Sequence, residues 1–361
     1  MGRTSFMNRI LIIATSRKTR GGITSVITAH EQGEQWKHYH CRWLETHRDS
    51  NLWVKVFLAT TAFLRYIFIL PFYSLVHIHT SEPASAFRKV PFMWWAKIWG
   101  KKTIVQFHAF SPDTTIKSRY AFLYKYLFGK ADQIIVLSEY WKKELHKVMP
   151  STHVVVIHNP CVMQMQNPSP CKTNKDVTVK KTPSILFAGT INRRKGYADL
   201  LLAFAKIAHN HPSWRIVFAG NGEIENGKKM AVDLGIANHT VWRGWICGEE
   251  KDRVFREASI FCLPSYAEGF PMAVLDAWSY GLPVITTPVG GIPDIAKNGE
   301  NVLLFNPGDY NSLAQCLETL ITDESLRRTI SQASLYLART TFNIATINKQ
   351  LASLYQEVLL S

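Results

Sequence analysis

Apolar positions in the first half of the chain fall into brief runs, parted by longer stretches in which they recur at helical spacing. RILIIAT, HYHCRWLET, SLVHIHTS, TIVQFHAF, DQIIVLS and HVVVIHN are short and rich in β-branched and aromatic residues, which predicts strands. GITSVITAHEQ, the run over residues 52–73, PFMWWAKIWG, SRYAFLYKYLF and EYWKKELHKV lie between them and predict helices. Periodicity then lapses over 161–183, where Pro, Asn, Ser and Lys gather. Alternation resumes with SILFAGT, WRIVFAGNGE, TVWRGWI and SIFCLPS, and helical spacing fills the stretch from Tyr310 to Leu359. Strand–helix alternation predicts parallel sheets covered on both faces, with ligands at the carboxyl ends of the strands. The reading is an α/β protein with an N-terminal domain at 1–165, a linker at 166–183 and a C-terminal domain at 184–341.

The strand ends are therefore where chemistry is expected. SIFCLPS leads through Glu268 into a helix that Pro271 is expected to open at its first position, leaving the amides of Met272 and Ala273 free to meet an anion. Asp276 follows eight residues after Glu268, about one and a half turns into that helix. An acid before an anion cradle and another within it suit a sugar joined to a phosphate. Arg193, Arg194 and Lys195 precede Gly196 and a helix, a plausible diphosphate clamp or a solvated basic turn. Gly21 and Gly22 after the first strand permit close approach of a phosphate, although the dinucleotide pattern is absent. His108 ends a strand, where the bland role is a structural hydrogen bond. His77 and His79 alternate on one strand and read as polar tips rather than zinc ligands. Arg88 and Lys89 face either an anionic acceptor or, more commonly for such a pair, solvent.

EGFPMAVLDAWSYGLPVI followed by TPVGGIPDI resembles the donor-site signature of the retaining glycosyltransferases of family four. That resemblance implies the GT-B fold, two Rossmann-like domains with parallel sheets facing across a cleft, the last helix (342–361) crossing back to the first domain. It also implies that Glu268 touches hydroxyls of the transferred sugar and that Asp276 replaces the usual ribose-binding Glu. Asp is shorter by one carbon–carbon bond, about 1.5 Å. By the same resemblance Gly22 lies against the donor diphosphate, His108 over the donor sugar, and Lys195 on phosphate with Arg193 or Arg194. Gly244, Trp245 and Ile246 match positions that receive the nucleotide base. The implied activity is metal-independent transfer of a sugar from a nucleotide-sugar donor to a glycan or lipid-linked acceptor, without a cofactor. A sugar-nucleotide epimerase of the same fold is one alternative, and a non-enzymatic basic nucleic-acid-binding protein is the second.

Composition is ordinary for a globular chain, 47% hydrophobic and 19% charged over 361 residues. Charge is not evenly spread: residues 1–165 hold 22 Lys and Arg against 9 Asp and Glu, +13 of the net +15, which leaves +2 for the rest. A basic first half suits an anionic membrane, a diphosphate-linked substrate or nucleic acid; aromatic and basic residues at 92–102 have the flavour of nucleic-acid binding, yet a helix with a basic end explains them more simply. Lys55 and Arg65 interrupt the apolar run 52–73, which predicts an amphipathic helix, in the core or on a membrane with Leu52, Val56, Phe57 and Phe63 outward, rather than a spanning one. The six scattered cysteines and the short basic N-terminus suit a reduced cytoplasmic setting, with peripheral contact at the inner face of the membrane.

Overall fold

The structure, a computed structural model, describes residues 8–19, 21–48, 51–161 and 182–361. The expected linker therefore lies, up to residue 181, outside the described residues. The chain divides into two units: residues 1–160 with 268–270 and 344–361, and residues 161–267 with 271–343.

In the first unit β1 (Ile10–Ala14), α1 (Gly22–Glu31), α2 (Glu34–His38), β2 (Arg42–Glu45), α3 (Leu52–Ile69), β3 (Leu75–Thr80), α4 (Pro83–Ile98), β4 (Lys102–Phe107), α5 (Ala121–Lys130), β5 (Gln133–Val136), α6 (Glu139–Val148) and β6 (Val154–Val156) alternate. Their sheet runs β2-β1-β3-β4-β5-β6, and every pairing is parallel. Strand periodicity sorts the core. Leu11 and Ile13 of β1 face Val76, Ile78, Val105 and the helices α3 to α6. Ile10, Ile12 and Ala14 turn the other way, against Ile27 of α1 and against Ile347, Leu351, Leu354 and Tyr355. Those last four belong to α13 (Ile344–Leu360), which closes the second face of this sheet.

His77 and His79 share that second face, and the expectation of polar strand tips is corrected: they are 1% and 3% exposed. Strand alternation places both rings on that face, stacked 4.4 Å apart, with His77 Nδ1 2.8 Å from the Tyr355 hydroxyl of α13. Burial pushes the His77 pKa down to about 3, so the ring is neutral. An unfolded chain takes up that proton below pH 6.5 whereas the native chain does not, so stability is lost as pH falls. For His77 alone the expected loss between pH 7.5 and pH 5 is about 2 kcal/mol, at about 1.4 kcal/mol per pH unit. Urea unfolding across that range checks it, and His77→Gln should remove one proton's worth of slope. A slope identical in both proteins would refute it.

The second unit repeats the plan with β7 (Ser184–Ala188), α7 (Tyr197–Ile207), β8 (Arg215–Ala219), α8 (Ile224–Asp233), β9 (Thr240–Gly244), α9 (Gly248–Glu257), β10 (Ile260–Leu263), α10 (Met272–Ser279), β11 (Val284–Thr286), β12 (Leu303–Leu304), α11 (Tyr310–Thr322) and α12 (Glu324–Arg339). The strand order is β12-β11-β10-β7-β8-β9, again parallel. Each sheet thus reverses its winding once, between β1 and β3 and between β7 and β10, and crevices form at such reversals.

Helix α3 packs one face on the first unit's core through Ala62, Tyr66 and the residue after its last, Leu70, with the Tyr66 hydroxyl donating to Phe92 O at 2.9 Å. Phe63 is corrected from the expected outward stripe: it packs edge-on against Phe92, 5.4 Å between ring centres. Leu52's side chain lies outside the described residues. Val56 and Phe57 face outward as expected, and the outward stripe also takes in Trp53, Leu64, Phe68 and Phe72, with Trp53 82% and Phe68 75% exposed. By length and composition Trp53–Phe72 would suffice to cross a membrane.

Candidate active site

In the second unit the loops after β7 and β10 are bound to each other at the winding reversal. Arg193–Lys195 form a single 3-10 turn, capped by the Asn192 side chain, whose Oδ1 accepts from Lys195 N at 3.0 Å. Arg194 Nη1 donates to Ala267 O at 2.6 Å, and Tyr266 N donates back to Arg194 O at 2.8 Å. Gly196 follows with φ +74°, and a Cβ there would meet Pro264 O at 2.0 Å, so glycine is required by both conformation and space. Arg194 is thereby committed to orienting the loop that leads to Glu268, while Arg193 is exposed and Lys195 half-buried.

Pro271 is corrected from first helical residue to cap: its ψ is 111°, and α10 begins at Met272. The carbonyl of a cap residue accepts the first helical bonds, here from Val274 N and Leu275 N at 3.2 and 3.4 Å. The amides of Met272 and Ala273 precede those bonds, with no side-chain cap and no acid in the first turn. Asp276 projects from the same helix to Lys251 Nζ of α9, 2.7 Å away. Gly244 closes β9 at φ +66°, followed by Trp245, 40% exposed, and Ile246, 9% exposed.

Glu268, Gly269 and Phe270 group with the first unit. A Cβ on Gly269 would lie 2.4 Å from Ala109 O, and Phe270 O accepts from Asn159 Nδ2 at 3.0 Å, while the Phe270 ring stacks on His158. The tripeptide is therefore seated against the end of β4, beside His108, and Glu268 is only 6% exposed. His108 Nε2 stands 3.0 Å from His79 Nδ1, and burial lowers the pKa of both rings, to about 3 for His108. Two neutral rings joined this way fix each other's tautomers, so His79 is a positioning residue for His108. Gly22 is the first residue of α1, after Gly21 at φ +147°.

Arg88 and Lys89 are corrected from a solvated pair. They lie inside α4, which starts at Pro83, and Lys89 falls on its buried face with Ala86, Phe92 and Met93, 1% exposed. Sequence spacing gives no partner for His79, Lys89 or Lys251, because each one's partner lies 25 or more residues away along the chain. Only the alternation of His77 and His79 was a visible signal.

Two family models match the chain. One is described as Glycosyl transferases group 1, over residues 172–335, and the other as Glycosyltransferase Family 4, over residues 62–162. Residues 172–335 belong to the group 1 glycosyltransferases. Among curated relatives of this family, a D-inositol 3-phosphate glycosyltransferase of Corynebacterium jeikeium is 33% identical over 155 residues, 41% of this chain and 37% of the relative. A capsular polysaccharide biosynthesis glycosyltransferase, CapM of Staphylococcus aureus, is 28% identical over 175 residues, 48% and 46% of the two chains. The matched stretches thus span less than half of either relative. Among solved structures, Anabaena HepE in complex with UDP and glucose superposes with a TM-score of 0.77 at 17% identity, covering 96% of this chain and 99% of that one. The two-unit α/β architecture is that of the GT-B fold.

Proposed function

We propose that this family member is a retaining glycosyltransferase that moves a sugar from a nucleotide-sugar donor to a glycan or lipid-linked acceptor in cell-surface polysaccharide biosynthesis. The observation that carries the reading is the bound pair of loops at the β7/β10 reversal, one carrying Lys195 and the other leading to the uncapped start of α10. Negative charge develops on a departing diphosphate, and preoriented amides with a neighbouring ammonium stabilise it. Met272, Ala273, Lys195 and Arg193 take that part, and Arg194 holds the loop. Trp245 offers a face for the base, with Gly244 and Ile246 beside it, and Asp276 addresses the ribose from its ion pair with Lys251. Glu268 and His108 orient the transferred sugar by hydrogen bonds to its hydroxyls, an effect of positioning rather than proton transfer. UDP and UDP-glucose complexes of structural neighbours, and a capsular relative, support this direction.

The acceptor side is drawn from the first unit. Exposed Trp53, Phe57, Leu64 and Phe68 of α3 and Phe87, Trp94 and Ile98 of the adjoining α4 form apolar stripes on a basic unit, suited to the inner face of a membrane bearing a lipid-linked acceptor.

Calorimetry with UDP as probe tests the donor assignment. Lys195→Ala is expected to weaken binding by roughly 1.5–3 kcal/mol, the worth of a hydrogen bond to a charged group. Unchanged affinity would count against the clamp, and failure of every nucleotide sugar in a thermal-shift panel would sink the donor class.

A further inference from the structure

A chain of contacts between polar side chains crosses the α13 side of the first sheet and ends at His108. Asn348, Leu351 and Tyr355 project from one side of α13, at helical spacing. Asn348 Oδ1 stands 2.6 Å from His30 Nδ1 of α1, which pins the helix, and two turns further on the Tyr355 hydroxyl reaches His77 Nδ1 at 2.8 Å. Tyr355, His77, Gln106 and His79 are all buried, so none of them exchanges its partner for bulk water. His108 alone of the chain is only partly buried.

Hydrogens can be placed along these contacts. Gln106 of β4 lies directly across from His79. His77 Nε2 and Gln106 Oε1 attract one another, although their geometry falls short of a full hydrogen bond and neither has another partner. A neutral imidazole donates from one nitrogen and accepts at the other. An Nε2–H on His77 answers the Gln106 oxygen, which leaves Nδ1 to accept from the Tyr355 O–H. His79 is held differently. On one side it borders a cavity of about 190 Å³ at the β1/β3 reversal, together with Thr15 and Ser81, so close packing does not fix the ring from there. What fixes it is the stack on His77, 24° from parallel, and the 3.0 Å bond to His108 Nε2. A turn of the His77 ring therefore carries His79 with it, and His79 carries His108.

We infer that Tyr355 is a remote positioning residue: its hydroxyl, acting through His77 and His79, sets the orientation and tautomer of His108, so that α13 governs how the transferred sugar is held. The effect on transfer rests on the proposed transferase reading; the setting of His108 does not. No proton moves along the chain, because each ring stays neutral and acts by where its hydrogen and its lone pair point.

Tyr355→Phe removes one hydroxyl and keeps the ring that packs in the core. In the full chain, with histidine labelled at its ring nitrogens, nuclear magnetic resonance reads the tautomer of His108, whose signals are assigned by their loss in His108→Ala. Those signals are expected to report one tautomer in the wild type and to shift in Tyr355→Phe, while the signals of His211, paired with Glu318 in the second unit, stay in place. Steady-state transfer supplies the second readout. Tyr355→Phe is expected to lower kcat at least tenfold with UDP affinity within twofold. In a His108→Ala background the same substitution is expected to change kcat less than twofold, because the ring it acts through is gone. Unmoved His108 signals, wild-type turnover by Tyr355→Phe, or an equal loss of kcat in both backgrounds would overturn the positioning role. Shifted His108 signals in a chain that transfers no sugar would uphold the setting of His108 and fault only the proposed reaction.

Discussion

Glu268→Gln is expected to lower kcat/KM for transfer by at least about 10²-fold, the scale seen when one oriented polar contact to a reacting group is lost. The side chain is buried and the following Gly269 is pressed on Ala109 O, so its carboxylate is fixed before any sugar arrives. Glutamine keeps the volume and removes the charge that sugar hydroxyls donate to. Because the proposed contact is to the sugar, UDP affinity and the thermal midpoint should stay at wild-type values. Steady-state kinetics with titration of UDP separates these readouts. Wild-type turnover would remove Glu268 from the site, and a collapse of the melting temperature would make it a structural acid instead.

The second large effect concerns the α3 and α4 stripes. The full chain is expected to pellet with vesicles containing anionic phospholipid and to do so less at high salt, each Lys or Arg near the surface adding about 1 kcal/mol or less. Trp53→Glu, Phe57→Glu and Phe68→Glu together should cut that binding by at least about 10²-fold, since burying each such ring is worth roughly 1.5–3 kcal/mol. All three rings are more than half exposed, so the fold does not depend on them. A wild-type chain that stays in the supernatant, or a triple variant that pellets equally, would sink membrane association and leave a soluble acceptor.

What the sequence disclosed and what it hid divide along physical lines. Parallel strands buried on both faces advertise themselves as apolar runs, so both sheets were legible, as was the strand–glycine–helix grammar around Lys195 and Glu268. Sheet order was not. It is sheet order that puts the end of β1 beside β3 and so assembles Thr15, His79 and Ser81 around one cavity. Burial of Lys89 was hidden for a related reason: beside Arg88 in a polar-looking segment it reads as surface, and only the phase of α4 turns it inward. Phe63 and Phe57 show the limit of composition, since both are aromatic residues on one apolar helix and only its docking decides which one meets water. Pro271 was displaced by a single position, the difference between a residue that starts a helix and one whose carbonyl receives its first bonds.

The seat of α13 sets an order of events during synthesis. The first unit begins near the amino end, yet part of one face of its sheet is covered by Ile347, Leu351, Leu354 and Tyr355, which the ribosome adds only after the second unit. At ordinary elongation rates the stretch between residue 160 and residue 344 takes about 10 to 40 s to make. For that interval the nascent first unit shows water the part of this apolar sheet face that α1 does not cover, as well as the α3 stripe, and is a natural client for a chaperone. The second unit, whose described strands and helices follow one another without such a delay, is free to fold while the first still waits for its lid.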